Sequence, residues 1–172
     1  MISDKLLNEI DRGRQGLNHG ISMKLPKLES IIDGVTRETY TLILSNSGAG
    51  KTSFALYAYV YRPLMEHLDD DDFKVLYFSL EMGEVALYIN LLYIYIFETY
   101  GIQLSFKKIL SREKEYILSD EHYDLVKQCM PWIDKISKKL EIYDKKVTPK
   151  KVYAILKTRL EEMGTFSESE TR

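Results

Sequence analysis

Ser45-Asn46-Ser47-Gly48-Ala49-Gly50-Lys51-Thr52 is the stretch on which the reading of this chain turns. It follows Tyr40-Thr41-Leu42-Ile43-Leu44, an apolar run that reads as a buried strand. It opens into Ser53-Phe54-Ala55-Leu56-Tyr57-Ala58-Tyr59-Val60, which reads as a helix. Strand, small-residue turn, Gly-Lys-Thr and helix form the context that a phosphate-binding loop requires. Backbone N–H groups in such a turn, and the unpaired ones of the helix start, converge on one point and favour an anion. Gly48 and Gly50 let the backbone approach phosphate oxygens with no Cβ in the way. Lys51 adds a point charge for the β- and γ-phosphates, and the Thr52 hydroxyl can ligate Mg²⁺. The expected nucleotide contacts are therefore Ser45, Asn46, Ser47, Gly48, Ala49, Gly50, Lys51, Thr52 and Ser53. The usual pattern, G-x-x-x-x-G-K-[ST], starts with glycine where this chain has Ser45. That glycine eases the exit from the strand, so serine there removes no phosphate ligand. The bland alternative is a strand-turn-helix carrying a surface lysine.

Outward from the loop, strands alternate with helices, the pattern of an α/β fold on a parallel sheet. Phe73 to Leu80 reads as a second buried strand and Leu140-Glu141-Ile142-Tyr143-Asp144 as a third. Glu84 to Tyr100 reads as a helix that is apolar on nearly every face, stopped by Gly101 and too short to span a bilayer. Ser119-Asp120-Glu121-His122 starts a helix that Pro131 kinks or splits, and Thr148-Pro149 starts another that runs to Met163. Arg62-Pro63 predicts a kink or break in the helix after the loop. A short helix is expected around Phe106 to Leu110. Near the start, residues 3–12 read as an amphipathic helix capped by Ser3, with Leu6, Leu7 and Ile10 on one face. A glycine-rich loop follows at 13–26, then a short helix from Lys27 to Ile32 ended by Asp33-Gly34. Asp69-Asp70-Asp71-Asp72 reads as a solvated acidic loop with nothing nearby to organise it, and not as a metal site. The organisation expected is a linker-like helix at 1–16, a nucleotide-binding domain at 17–164 and a loose tail at 165–172.

The composition sets bounds. The 172 residues suit one domain, with 45% hydrophobic and 29% charged residues. A formal net charge of −2 provides no overall field for nucleic acid or anionic membrane. A single cysteine, Cys129, excludes an internal disulfide and a cysteine-rich zinc site. The polar start, Met1-Ile2-Ser3-Asp4-Lys5, does not read as a secretory signal, and a reducing, cytoplasmic setting is expected.

Glu81 falls just past the second strand. Ligands in open α/β sheets collect at the carboxyl ends of strands, so this carboxylate can share a crevice with the loop and deprotonate a water. As a plain surface residue it would suit the dipole of the next helix. Val75-Leu76-Tyr77-Phe78-Ser79-Leu80-Glu81-Met82 resembles the second-strand motif of the DnaB-type replicative helicases, a branch of the RecA-like ATPases. Leu28 and Gly34, the loop, the Glu-Met strand, the strand at 140–144 and the Thr148-Pro149 helix fall in that family's order, over roughly residues 17–164. The resemblance implies a RecA-like P-loop fold with a three-layer parallel sheet. It implies ATP and Mg²⁺ as cofactors, Glu81 and Lys51 as catalytic residues, and Thr52 as the metal ligand. It further implies a parent protein, bacterial or from a virus-infected host, that unwinds DNA, binds single-stranded DNA and assembles as a homo-hexamer. In that ring residues 3–12 would dock on a neighbouring subunit, or else on the chain's own core.

Two departures stand beside it. Ser45 replaces the first glycine, and no apolar strand ending in aspartate follows the last helix, so the chain is expected to stop before the Walker B strand. It is therefore expected to hydrolyse ATP poorly by itself. The rival readings are another RecA-like ATPase, of recombinase or clock type, and a non-catalytic interaction fragment.

Overall fold

The computed structural model describes residues 1–36 and 38–164. Nine α-helices and two strands are found among them, in the order α1 (Ile2–Arg14), α2 (Pro26–Glu29), α3 (Lys51–Ala55), α4 (Arg62–Glu66), β1 (Val75–Phe78), α5 (Glu84–Tyr100), α6 (Phe106–Ile109), α7 (Asp120–Gln128), α8 (Met130–Ser137), β2 (Leu140–Tyr143) and α9 (Pro149–Glu162). The tail expected to be loose, residues 165–172, lies outside the described residues.

β1 and β2 pair in parallel, with Val75 opposite Leu140 and Phe78 opposite Tyr143. A parallel pair needs a long crossover, and here α5 to α8 supply it. Main-chain bonds extend the ladder at both ends, from Val75 N to Lys139 O (2.8 Å) and from Ser79 N to Tyr143 O (2.9 Å). The Phe78 and Tyr143 rings stack with centroids 4.7 Å apart.

Residues 40–44 correct the reading of a buried strand. They have no regular secondary structure and join no ladder among the described residues. Tyr40, Leu42 and Leu44 are exposed, at 87%, 64% and 80%. A strand is stabilised by the ladder and the layer it joins. Here the described sheet ends at two strands, and neither offers its edge to this segment. The three-layer sheet is accordingly not formed by the described residues.

The core is built by the helices around that parallel pair. Leu56, Val60, Tyr61 and Leu64 come from the helix after the loop. They meet Leu87 and Leu91 of α5, Trp132 and Ile136 of α8, and Leu140 of β2. A second cluster joins Leu92 and Ile96 to Leu104 and Cys129. α5 is apolar nearly all round, so it faces both clusters at once. Gly101 ends it at φ 68°, with its N–H on the Phe97 carbonyl at 2.9 Å.

The helix after the loop does not break at Arg62-Pro63. α3 passes into a π-helical stretch, Leu56–Tyr61, and that passes into α4 with helical dihedrals throughout. Proline has no N–H to give to the carbonyl four residues back, and the wider π turn accommodates its ring without ending the helix. Pro131 acts more sharply: α7 ends at Gln128 and α8 begins at Met130, with Cys129 between them.

α1 has no buried residue, and Leu6, Leu7 and Ile10 are all exposed. The chain's own core therefore does not cover this face. Ser3 lies inside the helix rather than at its cap, because the helix begins at Ile2. An antiparallel bridge between Ile21 and Val35 closes the segment that follows, which the glycine-rich loop reading did not foresee.

Candidate nucleotide site

The loop turns on two left-handed residues. Gly48 has φ 79° and Gly50 φ 86°, and Gly50 is the residue from which α3 springs. Side chains rarely adopt such dihedrals, so both positions need glycine. No atom lies within 4 Å of where a Cβ would sit at either one. The space beside both glycines is therefore open. Ala49 N donates to Asn46 O at 3.3 Å, and Phe54 N to Gly50 O at 2.9 Å.

Lys51 folds back across the turn. Its ammonium donates to Ser45 O at 2.8 Å and to Asn46 O at 3.0 Å. This holds the charge over the loop it follows, with Lys51 itself half-buried. Ser45, Asn46, Ser47, Ala49, Thr52 and Ser53 are exposed, as are both glycines. The Ser45 hydroxyl donates to Asn46 O at 3.3 Å. Ser45 to Ser53 thus lie together in the turn and the first turn of α3, and apart from Lys51 they are exposed.

Glu81 lies at the carboxyl end of β1, in the turn before α5. That turn is held by Ser79, which is buried. The Ser79 hydroxyl donates to Met82 O (2.5 Å) and accepts from Met82 N (3.0 Å). Asp144, just past β2, accepts the Glu84 N–H at 3.2 Å and so fixes the start of α5. The two strand ends are thereby tied to one helix terminus, with Glu81 exposed between them. Burial, and secondly the Glu81 charge, raise the Tyr77 phenol above its ordinary pKa, which places that carboxylate near Tyr77. Among the described residues no hydrogen bond or ion pair joins Glu81 to Lys51 or Thr52. The chain thus places the two expected catalytic residues in separate local structures.

For Mg²⁺, the residue present is Thr52, an exposed hydroxyl beside the open turn. No group of three His, Cys, Asp or Glu side chains able to hold a metal is found among the described residues. A hard cation here would take its remaining oxygens from nucleotide phosphates and water, and Thr52 fits that role.

Sequence reasoning missed Ser79 and Asp144. A serine three residues before the turn's last N–H is a recognisable local signal. The Asp144 contact spans sixty residues and has no such signal. No helix among the described residues is long and apolar enough to cross a membrane. No protein-family model, curated protein or solved structure matches the chain.

Proposed function

We propose that the chain is the ATP-binding portion of a RecA-like P-loop motor, of the replicative DNA helicase kind, whose parent couples ATP hydrolysis to DNA unwinding. The observation that carries this reading is the open turn at Gly48 and Gly50, with Lys51 folded over it at the head of a helix. Backbone N–H groups of the turn receive the β- and γ-phosphates, and Lys51 exchanges its two carbonyl partners for phosphate oxygens. Thr52 is the residue that would hold Mg²⁺, which offsets charge on the phosphates when bound. Glu81 is the base for the attacking water. Its proton passes to the carboxylate as the β–γ phosphoanhydride bond breaks, leaving ADP and phosphate. The parent would act as a homo-hexamer on single-stranded DNA in a cytoplasmic setting.

A second reading, a phosphate-binding module that turns nothing over, draws on a separate observation. Among the described residues no hydrogen bond or ion pair joins Glu81 to the loop, and residues 40–44 lie outside the ladder. Both readings require nucleotide binding, and only the first requires turnover in the parent.

A fluorescent ATP analogue titrated into the chain and into Lys51→Ala tests the shared premise. Loss of one ammonium–phosphate contact should weaken binding at least about tenfold. Equal affinity, with the circular dichroism spectrum unchanged, would sink the assignment. The chain alone should turn ATP over very slowly, because no hydrogen bond or ion pair holds Glu81 to the loop among the described residues. Rapid turnover abolished by Glu81→Gln would overturn that expectation.

A further inference from the structure

At the opposite end of the two strands, the acidic run is not free in solvent. Lys74 immediately precedes β1, and Lys139 immediately precedes β2. With Lys135 and Lys138 of the α8 end they face Asp69 and Asp71 across a cavity of about 280 Å³, with Leu68 in its wall. The Lys135 ammonium meets Asp69 at 2.6 Å, and the Lys74 ammonium donates to Lys138 O at 2.5 Å. This corrects the expectation that nothing organises these aspartates. The lysines that do so come from about 65 residues further on and cannot be paired with them by sequence alone.

Lys139 is the unusual member. Its side chain is only 8% exposed, yet its ammonium is paired with little. It donates to Asp70 O, and the nearest carboxylate, on the fully exposed Asp71, stands 4.0 Å away. A buried ammonium has three N–H groups to satisfy and costs several kcal/mol when its charge is not matched. Lys138 makes no side-chain hydrogen bond or ion pair among the described residues. The Asp70 carboxylate is turned to its own loop, accepting from Asp72 N at 3.0 Å and facing His67 at 3.3 Å. Four ammoniums against two carboxylates leave the cavity lining with two formal positive charges.

The geometry points to this cleft as a binding site for a dianionic phosphoryl group, with the Lys139 ammonium at its floor and Lys138 at its mouth. A phosphate monoester carries about 1.5 to 2 negative charges at neutral pH, which matches the lining. Asp71 competes with the incoming anion and is free to swing aside, since its side chain is fully exposed. The group could belong to a small phosphorylated molecule or to the 5′ end of a nucleic acid, and the chemistry recognised is the same. The site stands apart from the Lys51 loop and does not depend on its function.

Isothermal titration of inorganic phosphate into the full chain at low ionic strength tests this. Apart from any phosphate taken up by the Lys51 loop, one binding event is expected that persists in Lys51→Ala. Lys138→Ala, a surface change, should weaken it about fivefold, the scale of one exposed charge contact. Lys139→Met, which keeps the shape of the buried stem, should weaken it further. Asp71→Asn should tighten it severalfold by removing the competitor. Phosphate heat that vanishes in Lys51→Ala, or that ignores both Lys138→Ala and Asp71→Asn, overturns the proposal, as does no heat at all. Displacement by an oligothymidylate carrying a 5′-phosphate, but not by its unphosphorylated form, would assign the site to nucleic-acid ends. Phosphate binding that neither oligonucleotide displaces would assign it to small phosphomonoesters.

Discussion

Gly50 and Gly20 are both indispensable, for opposite reasons. At Gly50 the space is open and the dihedral alone is demanding. Gly50→Ala should therefore cost about 1 kcal/mol of stability, the scale of a left-handed residue that is not glycine. At Gly20 a Cβ would sit 2.2 Å from the Asp33 carbonyl and 2.9 Å from Val35, in the backbone contact that forms the Ile21–Val35 bridge. Gly20→Ala should cost more, about 2–3 kcal/mol, because a main chain must move. Urea unfolding of the two variants checks the order. The Gly-Lys-Thr reading was available from sequence because its signal is local, while Gly20 reads there only as one more loop glycine. Glu81 offers a second test at this scale. Its charge helps to hold the Tyr77 phenol above the ordinary value, since a neighbouring anion disfavours phenolate. In Glu81→Gln that phenol should titrate at lower pH, as followed by NMR of ring-labelled tyrosine. An unmoved Tyr77 would separate the two groups.

Among the elements, legibility followed the strength of local signals. α5 and α9 begin where the sequence predicts, because a glycine-bounded apolar run and a Thr-Pro pair are sufficient local statements. Thr148 accepts the Lys151 N–H at 3.3 Å, and Thr148→Ala should lower stability by about 1 kcal/mol. Ser3→Ala should change it by no more than a few tenths, because Ser3 sits within α1 and caps nothing. Thermal unfolding of the pair distinguishes them. The strand at 40–44 was not legible for a different reason. Its continuous apolar run describes a segment suited to a buried strand, but pairing is a long-range property that five residues cannot specify. The π-helical Leu56–Tyr61 stretch was likewise hidden, because Pro63 announces a disturbance without saying whether the helix ends or widens.

For the molecule as a whole, stability is concentrated where α5, α8 and the helix after the loop meet. Leu91 is fully buried there, and Leu91→Ala should cost roughly 3 kcal/mol by urea unfolding. α1 lies at the other extreme. Replacing Leu6, Leu7 and Ile10 together by serine should leave the unfolding midpoint nearly unchanged, because none of the three is buried. In the proposed ring the same triple change should lower the mass in solution. A collapse of the fold instead would show that α1 belongs to its own core.

Trp132, the lone tryptophan, is stacked on Tyr95 at 4.0 Å and gives its indole N–H to the Met65 sulfur at 3.3 Å. Met65 belongs to α4, which continues without a break from the helix that starts at Lys51. The molecule therefore carries a built-in optical reporter. Any shift of that helix when the loop is filled changes the sulfur and ring contacts of the indole, and the emission of Trp132 shifts with it, with no label attached.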